Sequence, residues 1–311
     1  MMRTGLLWLS ERQQIDRFLR RNGVARRLAS RFVAGETVES AIEAARDLNR
    51  QRIVATLDLL GESVSHERDT VQARDTYLKM LDQIAQNGVE ANVSVKLTQM
   101  GIDVEERVCL DNMTAMLEKA KALQNFIRID MEGSAYTQRT LDFFFQKVFP
   151  TYGPHVGVVI QSCLRRSESD VDALIDAGAR VRLCKGAYLE PAEVAFPDKA
   201  DVDSAYIRLM GRLLERGRYP GLATHDPSII ARARQFVREK AIGPERFEFQ
   251  MLYGVRRDLQ QALRKDGFNV RVYVPFGTQW YPYLMRRLAE RPANIAFILG
   301  NVVREAVRGP A

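Results

Sequence analysis

A chain of 311 residues with 46% hydrophobic and 27% charged residues can bury a large core, which excludes a disordered protein. No apolar run reaches the length of a membrane span, and the early block Gly5–Leu9 is too short for a secretory signal. The net charge of +7 would suit an anionic ligand or an anionic membrane surface. It carries no basic run of five, zinc-finger spacing or RNA-binding aromatic motif, so nucleic acid is not an expected partner.

In chain order, Ile15, Phe18 and Leu19, then Leu28, Phe32 and Val33, then Ala41, Ile42 and Ala45 fall at helical spacing, punctuated by Gly23 and Gly35. They predict a small helical arm over residues 1–50. From Ile53 short β-rich runs alternate with helical patterns. The strand candidates are Ile53–Asp58, Asn92–Leu97, Phe126–Asp130, Gly157–Gln161, Arg180–Cys184, Gly221–His225, Phe247–Leu252 and Val270–Pro275. Helices are expected between them, over Gln72–Gln86, Asp111–Leu123, Thr137–Lys147, Asp170–Ala177, Ala205–Arg216, Ser228–Glu239 and Asp258–Lys265. Eight strands, each followed by a helix, predict an α/β fold, a (βα)8 barrel over residues 51–311. The alternative is an open doubly wound sheet, but no glycine-rich fingerprint follows an early strand. Cys109, Cys163 and Cys184 are odd in number and lack metal-ligand spacing, which fits a reduced, cytoplasmic compartment and no metal site.

Strand parity places the chemistry. Asn92, Ser94 and Lys96 oppose Val93, Val95 and Leu97; Arg128 and Asp130 oppose Ile127 and Ile129; Glu248 and Gln250 oppose Phe249 and Met251. The face toward the outer helices must be apolar, so the polar set points into the barrel. Its last members, Asp58, Lys96, Asp130, Gln161, Arg182, His225, Gln250 and Tyr273, mark the C-terminal rim, where barrel enzymes carry their sites. A salt-bridge network without chemistry is the other reading.

Two stretches stand out. In Arg180–Tyr188, Arg180, Arg182 and Cys184 alternate with Val181 and Leu183, followed by the corner Lys185-Gly186-Ala187. A cation beside a glycine that lets backbone approach a ligand suits an anionic or electron-rich molecule; a solvated charged strand face would look similar. In Tyr281–Glu290, Pro282 fits a first helical turn, and Tyr283, Arg286, Arg287 and Glu290 share one face. The two arginines could clamp a carboxylate, or simply form a solvated face with Glu290.

With these residues in view, the chain resembles the flavin-dependent proline dehydrogenases of bacteria. The likeness rests on Arg182-Leu-Cys-Lys-Gly-Ala-Tyr188, Ala223-Thr-His225, Phe249-Gln-Met-Leu252, Tyr273-x-Pro275 and Tyr283-x-x-Arg-Arg-x-x-Glu290, in that family's order. The resemblance implies a distorted TIM-like barrel with non-covalent FAD at the strand C-termini, and oxidation of L-proline to Δ1-pyrroline-5-carboxylate with electrons passed to a quinone. It implies that Lys96, Arg286 and Arg287 hold the proline carboxylate, with Tyr273, Tyr283 and Leu252 around the ring. Arg182 would lie near the flavin N5, and Asp130 would hold Lys96 and the substrate arginines. Gln161, Lys185, Gly186, Ala187, Tyr188, Thr224, His225 and Gln250 would contact FAD, with Glu290 near its ribose and Glu62 as a gate partner for Arg286. Met131 stands where other members have alanine, and Leu189 where some have tryptophan, which touches flavin packing. The chain leaves no room for the aldehyde dehydrogenase module of bifunctional members, so a separate pyrroline-5-carboxylate dehydrogenase would take the next step. A cytoplasmic enzyme, peripheral on the inner face of the membrane, is expected. The alternatives are another flavin barrel, such as a folate reductase, or a basic nucleic-acid binder.

Overall fold

The computed structural model describes residues 29–290, and for 286–290 the backbone alone. The elements are α1 (Val38–Arg50), β1 (Val54–Leu59), α2 (Glu67–Gln86), β2 (Ala91–Val95), α3 (Glu106–Ala122), β3 (Ile127–Ile129), α4 (Ser134–Phe143), β4 (Val156–Gln161), α5 (Ser167–Asp176), β5 (Arg180–Cys184), α6 (Lys199–Arg216), β6 (Gly221–Ala223), α7 (Pro227–Glu239), β7 (Glu248–Leu252), α8 (Arg257–Lys265), β8 (Val270–Phe276) and α9 (Trp280–Glu290). All eight strands are parallel and close into a barrel, with Thr56 of β1 opposite Tyr273 of β8. The doubly wound alternative is therefore excluded.

Several helices begin earlier than their apolar period. α2 starts at Glu67, α3 at Glu106 and α6 at Lys199. Their first turns carry Glu67 and Asp69, Glu106, and Asp201, which have no apolar rhythm but suit the positive end of a helix. In the described part of the expected arm, α1 begins only after a turn at Gly35 (φ 93°) and a capping box between Thr37 and Ser40. Val38, Ala41, Ile42, Ala45 and Leu48 of α1 share one core with Leu57 and Val272. Residues 38–50 thus pack into the barrel body; residues 1–28 of the expected arm lie outside the described ones.

The parity argument holds around the barrel. Val93, Val95, Ile127, Ile129, Val181, Leu183, Phe249 and Val272 are buried against the helices. Each such side chain contributes about 1.5–3 kcal/mol of burial. Thr56, Asp58, Asn92, Ser94, Arg128, Arg182, Glu248 and Gln250 are buried inside. Buried polar groups need partners, and the lower interior supplies them locally. Arg271 Nε donates to Glu248 Oε1 at 2.7 Å and its Nη1 to Ala55 O at 2.7 Å. Arg128 Nη1 donates to Val158 O at 3.1 Å. Room for that guanidinium comes from Gly157, where a Cβ would stand 2.6 Å from Arg128 Nη1.

Candidate active site

A cavity of about 580 Å³ opens at the C-terminal ends of the strands. Parity delivers its floor. Arg182 and Gln250 lie within β5 and β7, Tyr273 lies in β8, and Lys96 and Asp130 come one residue past β2 and β3. All five line the cavity.

Asp130 is the hub of the floor. Its Oδ1 accepts from Arg182 Nη1 at 2.7 Å and from Ser94 Oγ at 2.6 Å, and its Oδ2 from Tyr273 OH at 2.8 Å. Arg182 also donates through Nε to Gln250 Oε1, and its guanidinium lies 5.2 Å from the Tyr273 ring centre. Burial, with the Asp130 and Asp58 charges, holds the Tyr273 phenol well above its usual range, so it remains a neutral donor. Lys96 was expected on Asp130, but its Nζ donates to Asp58 Oδ1 at 3.1 Å. Burial disfavours the Lys96 ammonium, yet the Asp58 and Asp130 carboxylates more than reverse this and keep it charged. The floor therefore offers two ion-paired cations and a fixed phenol, and burial raises the Asp58 carboxyl above its usual range against the opposing Lys96 charge.

The far side of the cavity is built by loops after β5 and β6. Lys185 Nζ pairs with Asp203 Oδ1 at 2.5 Å and Asp226 Oδ2 at 2.8 Å, and Lys199 joins both carboxylates. The cation expected at the corner is thus neutralised from α6 and from the start of α7. Burial opposes the Asp226 charge, but the Lys185 hydrogen bond and then Lys199 outweigh it and bring the carboxyl down to about 2. Asp226 also caps α7 by accepting Ser228 N–H at 3.0 Å. His225 Nε2 accepts Leu252 N–H at 2.9 Å, which places the ring proton on Nδ1.

Gly186 lines the cavity and meets a further demand inside the protein. Its φ is 108°, and a Cβ there would fall inside the van der Waals shell of Cys163 Sγ. The close approach is to the protein's own thiol. Cys184 lines the cavity as a protonated thiol, pushed up to about 12 by burial.

Of the expected residues, Lys96, Asp130, Met131, Gln161, Arg182, Lys185, Gly186, Ala187, Tyr188, Thr224, His225, Gln250, Leu252, Tyr273 and Tyr283 line this one cavity. Glu62, half-buried in the loop after β1, is not among the lining residues, although Leu60 is. Arg286, Arg287 and Glu290 follow Tyr283 on α9, but their side chains lie outside the described ones. Leu189 is 59% exposed and not a lining residue. Sequence reasoning missed Leu60, Val159, Lys199, Asp226 and Pro227. The Asp226-Pro227 pair, a helix cap just after a strand, was the signal available for two of them.

The comparisons with known proteins agree with one another. Residues 41–299 match the family model described as Proline dehydrogenase. The chain is 42% identical over 305 residues to a proline dehydrogenase of Deinococcus radiodurans, covering 97% of this chain and 98% of that one. It is 40% identical to Proline dehydrogenase 1 of Bacillus subtilis, covering 98% and 100%. Among solved structures, proline utilization A (PutA) from Bdellovibrio bacteriovorus, inactivated by N-propargylglycine, is similar with a TM-score of 0.80 at 25% identity. That likeness covers 89% of this chain but 34% of the larger protein.

Proposed function

The chain belongs to the proline dehydrogenase family, and from that premise we propose that it binds FAD non-covalently in the large cavity while oxidising L-proline to Δ1-pyrroline-5-carboxylate. The observation that carries this reading is a single cavity with the Lys96–Asp58 and Arg182–Asp130 pairs on its floor at one end and a lysine–aspartate cluster at the other. Its donor set fits a flavin. Gln161, Gln250 and Arg182 offer hydrogen bonds to a polar heterocycle, Met131, Val159 and Tyr188 offer surface to pack on, and Lys185 and Lys199 offer cations to a diphosphate. When bound, FAD supplies the acceptor for the hydride that leaves C5 of proline, chemistry that no side chain here provides.

The residues do the rest. Lys96, with Arg286 and Arg287 on α9, holds the substrate carboxylate through charge-assisted bonds. Tyr273, Tyr283 and Leu252 pack around the pyrrolidine ring and fix C5 in place. Arg182 puts positive charge where electrons arrive, and Asp130 keeps Arg182 and Tyr273 from turning. Thr224, His225, Gly186 and Ala187 would line the cofactor's path, and Glu290 would hold its ribose. Glu62 closes over the site by pairing with Arg286 and excludes water. Electrons pass on to a quinone at the inner face of the cytoplasmic membrane, where this cytoplasmic enzyme docks peripherally. A separate pyrroline-5-carboxylate dehydrogenase consumes the product.

Purified protein should be yellow, release its flavin into an acid supernatant, and bleach anaerobically on addition of L-proline. A protein that stays colourless after incubation with FAD would overturn the cofactor. A flavin that binds but is not reduced by L-proline would overturn the substrate.

A further inference from the structure

The opposite, N-terminal mouth of the barrel carries a second cavity, of about 310 Å³. Three guanidinium groups line it, from Arg52, Arg264 and Arg271, together with Glu90, Tyr219 and Asn269. Arg271 is committed to Glu248 at 2.7 Å. Arg264 gives Nη1 to Phe268 O at 2.6 Å, but its buried Nε–H has no acceptor among the described residues. Arg52 is exposed and has no ion-pair partner among the described residues.

Just inside, the cationic surplus grows. Arg180 lies 5.0 Å from the ring centre of the cavity-lining Tyr219, and its buried Nε has no acceptor among the described residues. Arg128 is 2% exposed, with Nε in the same condition. Burial, then Arg271 and Arg218, outweigh Glu248 and lower the Arg180 guanidinium below its usual value. The arginines at this mouth, Arg52, Arg264 and Arg271 with Arg128 and Arg180 just inside, thus outnumber the carboxylates named with them, Glu248 and Glu90. Cations desolvated without counter-charge are costly, and an anion from solution removes that cost.

We propose that this mouth binds a small divalent oxyanion, phosphate in size and charge, between Arg52, Arg264 and Arg271. Guanidinium forks are matched to such oxygens, and Arg52, Arg264 and Arg271 line the one cavity. The site is remote from the C-terminal cavity and does not rest on the proline reading. Ligation at the N-terminal face of a barrel bears on stability, so the anion acts by binding the folded state alone.

The test is thermal unfolding of the full chain in inorganic phosphate against chloride at matched ionic strength. Phosphate also stabilises proteins non-specifically by exclusion from their surface. The measured quantity is therefore the excess of wild type over an Arg52→Met/Arg264→Met variant in the same buffers. Wild type should show a saturable rise in Tm, exceeding the variant's by on the order of 5 °C near saturation. Proline-dependent flavin reduction should be the same in both. Equal, non-saturating rises in the two proteins would overturn the site. If the double variant fails to fold, Arg264→Lys keeps the charge while removing the planar fork. Calorimetric titration of phosphate into folded wild type should then show binding that weakens in Arg264→Lys. No heat beyond dilution with wild type would overturn the proposal as well.

Discussion

Replacing Asp130 with asparagine removes a negative charge from the point where three donors converge. Arg182 Nη1, Ser94 Oγ and Tyr273 OH stand 2.7, 2.6 and 2.8 Å from its oxygens. The Arg182 side chain is 7% exposed, so water cannot take over the lost pairing. Breaking a buried ion pair from one side costs about 3–5 kcal/mol. The carbonyl of the introduced carboxamide could keep the Arg182 and Ser94 bonds, and the Tyr273 hydroxyl could turn to accept from its NH2. The low end, roughly 3 kcal/mol, is therefore expected, a fall in Tm of about 5 °C for a chain of 311 residues. Urea and thermal melts of Asp130→Asn, Arg182→Met and the double variant complete a cycle, and the coupling should exceed about 1.5 kcal/mol. The same variants also separate electrostatics from packing at the flavin. Losing Asp130 should raise the midpoint potential of the bound flavin, and losing Arg182 should lower it. Additivity within about 0.5 kcal/mol, or potentials that move in the same direction, would refute the reasoning.

Lys96→Met should weaken binding of proline or an unreactive proline analogue about ten- to a hundred-fold, the loss of one charge-assisted bond; an unchanged dissociation constant would remove Lys96 from the clamp. Gly186→Ala should destabilise the chain, because both its φ of 108° and Cys163 Sγ oppose a Cβ. Adding Cys163→Ala should recover the steric part and leave about 1 kcal/mol of backbone strain, and full recovery would show that φ costs nothing. The Asp226 carboxyl is depressed in the fold, from an ordinary 3.8 to about 2. Its contribution to stability is therefore present above about pH 4 and lost as pH falls toward 2. Asp226→Asn keeps the cap on Ser228 and should flatten the Tm–pH slope in that window alone; an unchanged slope would mean the Lys185 pairing does not stabilise the fold.

Strand parity was legible in the sequence because its period is 2 and one face had to be apolar. Asp58, Lys96, Asp130, Arg182, Gln250 and Tyr273 accordingly meet in one cavity. Which of them bond was not legible, and Lys96 shows why. Ser94 is opposite both Asp58 of β1 and Arg128 of β3, so two residues on Lys96 is level with Asp130 and one pleat above Asp58. Register alone would give Lys96 to Asp130. But the Asp130 oxygens are filled by donors from β2, β5 and β8, and that competition exists only once the barrel closes. Lys96 therefore reaches back to Asp58, and Asp130 still acts on it through charge at a distance. Lys185 fails the same test from the other side. Its cationic character could be read from the strand end, but its neutralisation comes from Asp203 on α6 and Asp226 at the cap of α7. No local period connects those positions. In the proposed FAD reading, a diphosphate entering there would compete with two carboxylates already held by lysine, so the cluster would have to exchange partners on binding and would not act as a bare cation. Lys199, which shares both carboxylates, would then be the group that keeps Asp203 and Asp226 paired during the exchange.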